Sequence, residues 1–408
     1  MKKLILFVIL ILVLESCKKD DSVNPTNGTT PTTSPQKPVK IISVEKNDLS
    51  TGSILEIRGE NFSTNPADNV ITINGVKALD VITVNTILGS RLQATIPWQA
   101  TSGSLTLTAN GNKFDLGNVN IDQFIPNNEW EIAPSFPGID SFNSVFKFQD
   151  KVFFWGDYDF DSKYQLYEFN GIKWTKKNDV PFDILSGASA FTLNGKGYLI
   201  LSQTKVSGVL SRAVWEYEPT TDKWSEIANF PGSPRFSPLL FTIKNKAYFG
   251  LGSDESGMYL NDIWEFDGLT KKWTRKKDYP FFSNYFGNKG ENLGYSSDNA
   301  YLFMEKVPNW IFLEYNSIQD SWAKKVGQNY RSYNEPSSYK DKMYGIANRS
   351  FGSRNFHTVE SYDVNTDKFF TVKEFAGAYR FAPISFIIND RLYIGMGLKF
   401  KDLWSTKL

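Results

Sequence analysis

One cysteine and one histidine are all that the 408 residues hold of the side chains that most often bind soft metals or act as nucleophile and base. A single cysteine cannot form an intramolecular disulfide, so no covalent staple holds any part of this chain. Nitrogen and sulfur metal centres lack ligands, and a Ser-His-Asp or Cys-His arrangement would have to use His357, which sits in FGSRNFHTVES with no nucleophile-elbow motif nearby. His357 is therefore expected to be a surface or strand-edge residue. There is also no strong charge of either sign: the formal net charge is +1, without a basic run, which leaves no long-range pull on polyphosphate and argues against nucleic acid as a partner. Nor is there a second long apolar run after the first one. The sequence calls for no cofactor.

What is present begins at the N-terminus. Lys2 and Lys3 precede Leu4 to Leu14, eleven uninterrupted apolar residues, too few to span a bilayer but suited to the apolar core of a secretory signal. The only thiol, Cys17, follows directly behind Ser16. Leu14-Glu15-Ser16-Cys17 resembles the lipobox of bacterial lipoproteins, with Glu15 an unusual second residue. That resemblance implies a signal peptide over residues 1–16, cleavage before Cys17, and acyl chains on its sulfur and amino group that would tie the protein to a membrane. Cleavage would remove two of the 45 basic and one of the 44 acidic side chains, giving zero formal net charge. Lys18, Lys19, Asp20 and Asp21 are similar to the charged tetrads that direct some Gram-negative lipoproteins to the exterior face of the outer membrane. Residues 17–37 continue as a Thr/Pro-rich tether with the single apolar residue Val23 between Ser22 and Pro38, too polar to fold alone.

From Pro38 to Asp122 short alternating stretches such as SILEIRG, NVITING and SLTLTANG recur between turn residues, the pattern of an antiparallel β-sandwich. GSILEIRGENFS, VITINGVKA and ATIPWQATSGSLTLTANG resemble the IPT/TIG family of immunoglobulin-like domains, through Gly52, Gly59, Asn61, Phe62, Asn74, Gly75, Pro97 and Gly103. Such a domain is expected to be a spacer or interaction module.

Residues 127–408 carry a repeat. Trp130, Trp174, Trp224, Trp273, Trp322 and Phe369 are spaced by 44, 50, 49, 49 and 47 residues, a period that points to propeller blades. Seven residues before each of the last four stands an aromatic residue, Tyr217, Phe266, Tyr315 and Tyr362. These features resemble kelch repeats, with the glycine doublet split into Gly250 and Gly252 or Gly395 and Gly397. The final DLWSTKL lacks a fourth strand and Asn128 to Pro134 lacks a preceding unit, so pairing them predicts a six-bladed kelch-type β-propeller closed by its N-terminal strand. The fold class expected is thus all-β, an immunoglobulin-like β-sandwich followed by that propeller.

The connections that enter each unit from the one before read FPGSPRFSP, YPFFSNYFGNKGEN, NYRSYNEP and AYRFAP. Arg235, Arg331 and Arg380 share one phase, and together they could hold a carboxylate or sulfate at the channel mouth, with Phe281, Phe282, Tyr285, Tyr330, Tyr333 and Tyr379 offering faces to sugar rings. The alternative is that the arginines pair internally and the rings are core. DYDFDSKYQLYE places Asp157, Asp159 and Asp161 as in a calcium loop, but Ser162 occupies the position of the required glycine, so a solvated turn is the competing account.

The functional expectation is a lipid-anchored outer-membrane protein facing the cell exterior that recognises a glycan, anionic for preference, or a surface protein, without catalysis. Two alternatives stay open. Kelch-type propellers include galactose oxidase, whose copper site this chain cannot build, and a metal-free sialic-acid epimerase, for which Glu291 or Glu335 could serve as base beside the arginines. The third reading is a protein-interaction scaffold.

Overall fold

A computed structural model describes residues 37–86, 89–127, 129–138, 144–156, 165–181, 188–201, 210–227, 229–281, 291–296, 298–306, 309–325, 334–351 and 354–408. Cys17 and the tether lie outside them. Residues 39–408 form one compact unit, and the described residues are all-β, with a single 3-10 turn at Pro66–Asp68. Among them no helix is long and apolar enough to cross a membrane.

The N-terminal part is a pair of four-stranded antiparallel sheets. One has the order Lys40–Val44, Ile54–Glu60, Gly89–Thr95, Leu79–Thr86; the other runs Val76–Lys77, Asn69–Ile73, Gly103–Ala109, Asn112–Val119. Alternate residues point inward, so Leu55, Ile57, Ile71, Ile73, Leu92, Leu105 and Leu107 make one buried cluster. At the end of Ile54–Glu60 the chain turns through Asn61, whose φ is 63°, and Phe62 folds back over Gly59 into that cluster. A side chain at Gly59 would collide with the Phe62 ring and the Lys40 carbonyl. Asn74 and Gly75, with φ of 45° and 83°, turn the hairpin that pairs Ile73 with Val76.

Six four-stranded antiparallel meanders follow, spanning residues 144–176, 189–227, 239–275, 291–324, 334–374 and 384–407. The last takes its fourth strand from Glu131–Ala133, which pairs with Leu403–Lys407 in the register Trp404 to Ile132. The repeated aromatics explain the period. In each of the first five meanders the outer-strand marker pairs across to the aromatic of the third strand: Phe169 with Trp174, Tyr217 with Trp224, Phe266 with Trp273, Tyr315 with Trp322 and Tyr362 with Phe369. The ring centroids of these pairs lie 4.6 to 4.9 Å apart. Apolar clusters fill the space between each meander and the next, and one containing Phe154, Phe169, Phe386 and Tyr393 lies between the last meander and the first. Tyr217, Tyr315 and Tyr362 also donate their hydroxyls to Asp222, Asp320 and Asp367 two residues before the markers, at 2.6 to 2.8 Å.

Between the aromatic layers runs a polar one that the sequence reading did not anticipate. Glu216 of the second meander accepts from Lys196 and Tyr198 of its own sheet and from Lys271 of the third. Glu265 is held by Lys246, Tyr248 and Lys276. Each glutamate stands one residue before the buried third-strand aromatic, and its neighbours satisfy a charge that burial alone would make costly.

The N-terminal sheet pair sits on the sixth meander. The Ile54 N–H donates to the Lys399 carbonyl at 2.7 Å, Ser53 bridges to Phe400, and Lys399 pairs with Glu45 at 2.6 Å. Thr51 both donates to and accepts from the backbone of Phe124, at 2.9 and 2.8 Å, tying down the connecting segment. This contact is possible because the sixth meander's connection is short. In the third meander Leu260 donates to Gly252 as Phe400 does to Gly397, but residues 254–259 stand where the sixth has only Lys399.

Candidate functional site

Antiparallel order places the turns from first to second and from third to fourth strand at one end of each meander. The connections from second to third strand, and onward to the next meander, gather at the other end. Of the residues singled out for ligand binding, the described ones, Arg235, Phe281, Tyr379 and Arg380, lie on connections at that second end.

Two of those arginines are not available to a ligand. Arg235 and Arg380 are each only 2 % exposed. Arg235 donates through Nη1 and Nη2 to the two oxygens of Asp262 at 2.7 and 2.8 Å, and Arg380 does the same to Asp402 at 2.5 and 3.1 Å. The remaining donors meet carbonyls of Ser233 and Leu251 in one case and Ala378 and Met396 in the other. Trp264 and Trp404 donate their indole N–H to the same aspartates. Phe230 lies 4.8 Å from the Arg235 guanidinium, and Phe400 lies 4.2 Å from that of Arg380. The expectation of converging free guanidiniums is corrected for these two: they are clamps that fasten the entry connection of the third and sixth meanders to the third strand of the same sheet. Burial by itself would raise the Asp262 carboxyl, but the hydrogen bonds and charge of Arg235 outweigh it and hold the group below the usual carboxylate range.

The split glycines belong to the same construction. A side chain on Gly250 or Gly395 would strike the backbone of Asp262 or Asp402, while Gly252 and Gly397, with φ of 79° and 97°, let the chain pass against the carbonyl of Phe236 or Phe381.

With the arginines turned inward, the residues directly after them face out. Phe381 is 69 % exposed and Phe236 36 %. Their carbonyls are fixed by the N–H groups of Leu398 and Ser253 at 3.0 and 3.1 Å. Tyr379, partly buried, lies with its ring 6.0 Å from that of Phe381 at 70° and stacks on His357 at 4.8 Å and 20°.

His357 is not at the surface as expected; it is 1 % exposed, on the third strand of the fifth meander. Its Nε2 accepts from the Arg380 N–H at 3.1 Å. Burial, then the charge of Arg380, pushes its pKa down to about 4, so the ring is neutral at pH 7.

The other candidates fall as follows. Phe281 is packed beside Tyr279 at 5.4 Å, with Lys324 over its ring at 4.3 Å, and belongs to the core between the third and fourth meanders. Phe282, Tyr285, Tyr330, Arg331 and Tyr333 lie outside the described residues, as do Asp157, Asp159 and Asp161. Glu291 and Glu335 lie on strands whose side chains at those positions are also outside them. Among the described residues no three His, Cys, Asp or Glu side chains gather as a metal site. Phe236 and Phe381 were missed because an aromatic in a short loop motif reads as core; the signal was their common place directly after a clamp arginine.

No family model and no curated protein matches this chain. Among solved structures, the protein YjhT superposes with a TM-score of 0.50 at 15% identity, over 66% of this chain and 95% of that one. A structural-genomics protein of unknown function from Bacteroides thetaiotaomicron gives 0.47 at 12% identity, over 92% of this chain and 99% of that one. The resemblance to YjhT is one of fold.

Proposed function

We propose that this chain is a lipid-anchored binding protein of the bacterial outer-membrane exterior, which takes a glycan at the loop end of a six-bladed kelch-type β-propeller and performs no catalysis. In this reading the six meanders are the blades, Glu131–Ala133 closes the ring, and residues 38–122 are an IPT/TIG-type immunoglobulin-like domain. The anchor is Cys17, extended by the tether up to residue 37.

The observation that carries the glycan is the exposure of Phe381 on a backbone held by the buried Arg380–Asp402 clamp. An exposed ring on a fixed main chain leaves apolar area in water, and it offers a flat face to the C–H side of a sugar at little ordering cost. Because both described arginines are internally paired, the preference for an anionic ligand no longer has their support.

A glycan array probed with the detergent-solubilised chain tests this, beside Phe381→Ala and Phe236→Ala. Binding that falls in at least one variant is the expected result. An array without any bound glycan would sink the reading in favour of a protein partner.

A further inference from the structure

The second and third strands of the fifth meander, Lys342–Phe351 and Arg354–Asp363, are ten residues long, against five for Arg391–Gly395 and Leu403–Lys407 of the sixth. At about 3.4 Å per residue, the five additional pairs carry these strands roughly 17 Å beyond the point where the sixth meander's second and third strands end. One face of the hairpin can be followed by register from core to tip. Ile346 opposite Val359 packs against Leu392, Ile394 and Trp404 of the sixth meander. The next pair on that face is Asn348 opposite His357, and the next Ser350 opposite Asn355. His357 stacks on Tyr379, so this face turns toward the sixth meander's entry connection. Asn348, Ser350 and Asn355 are exposed, and Ser350 donates to the Asn355 side-chain oxygen at 2.7 Å.

The outcome is a corner with an aromatic floor, Tyr379 and Phe381, and a wall of two amides and a hydroxyl. We propose that this corner is a subsite for one neutral sugar residue of a glycan chain, an assignment that rests on the binding reading above. Amides and hydroxyls both donate and accept, as sugar hydroxyls do, and no ionised side chain stands among the wall residues named. Phe381 supplies the exposed ring face, with Tyr379 set edge-on to it at 6.0 Å and 70°; one such face is about the area of a single pyranose, far below the roughly 800 Å² per partner of a stable protein interface. A uronic or sialic acid would bring a carboxylate, and the described wall residues Asn348, Ser350 and Asn355 supply no cation to meet it.

The test is calorimetric titration of the full chain in detergent micelles with neutral gluco-, galacto- and manno-oligosaccharides, and with oligogalacturonate as the anionic counterpart. A neutral oligosaccharide should bind, and Phe381→Ala, Asn348→Ala and Asn355→Ala should each weaken it by about tenfold, with Leu269→Ala, an exposed residue in a turn at the opposite end of the third meander, within twofold of the parent. All four positions are exposed or nearly so, and unchanged melting temperatures will show that the variants fold. If a neutral glycan binds with the three corner variants unaffected, the corner is wrong while the glycan reading stands. Binding of oligogalacturonate alone also overturns the subsite. Silence toward every probe overturns both.

Discussion

Gly52 offers the sharpest test of how the N-terminal sheet pair and the meanders hold each other. Its φ is 85°, and a Cβ placed there would lie inside the carboxylate of Asp402, the acceptor of the Arg380 clamp. Gly52→Ala therefore has two costs. The left-handed backbone costs roughly 1–2 kcal/mol for a residue with a β-carbon. Moving Asp402 also weakens a buried bidentate pair, whose outright loss is worth about 3–5 kcal/mol. A total of about 3–5 kcal/mol is expected, part of the pair surviving by adjustment. Gly75→Ala isolates the first cost, since φ there is 83° and no atom lies within 4 Å of where its methyl group would stand. Urea unfolding followed by tryptophan fluorescence should show Gly52→Ala exceeding Gly75→Ala by about 2–3 kcal/mol. Hydrogen exchange should quicken at residues 376–383, far along the chain from any strand of the N-terminal pair. Equal losses in the two variants, with exchange at 376–383 unchanged, would refute the claim that the sheet pair seals this clamp.

Arg235→Ala should destabilise by about 3 kcal/mol, measured by urea unfolding, because it leaves the half-buried Asp262 without its charge partner and with only the Trp264 indole N–H donating to it. His357 should make stability fall with acid: its pKa goes from 6.5 unfolded to about 4 folded, so the unfolded chain takes up the proton first. Stability present above pH 6.5 is then lost progressively as pH drops toward 4, by about 3 kcal/mol in all, and His357→Gln should flatten that slope in melts recorded from pH 7 to 4. Cys17→Ser should leave the protein unlabelled by radioactive palmitate and recovered in the soluble fraction, if the lipid anchor is as proposed.

The aromatic markers were legible because each does the same mechanical job. Trp174, Trp224, Trp273 and Trp322 close against a ring on the neighbouring strand, and this requirement repeats at the length of one meander. The pairing of the N-terminal strand with Leu403–Lys407 could be read from the two incomplete ends. Arg235 and Arg380 were harder. Their partners stand 27 and 22 residues downstream, in Asp-x-Trp at the start of a strand, and a charge in a loop gives no local sign of whether it turns inward. His357 was misplaced for a related reason: the long hairpin that buries it against Tyr379 depends on strand lengths that the alternating pattern does not fix. The polar wall of Asn348, Ser350 and Asn355 is invisible to a search for charged or aromatic residues, since neutral amides in a strand look like ordinary surface.

The short connection of the sixth meander has a consequence for how such chains gain and lose parts. The third and sixth units carry the same clamp, and their second-to-third connections differ in length: one residue in the sixth where the third has six. Loop length thus works as an address. Trimming residues 254–259 to a single lysine would give the third unit a connection of the same length as the one that receives the N-terminal sheet pair on the sixth.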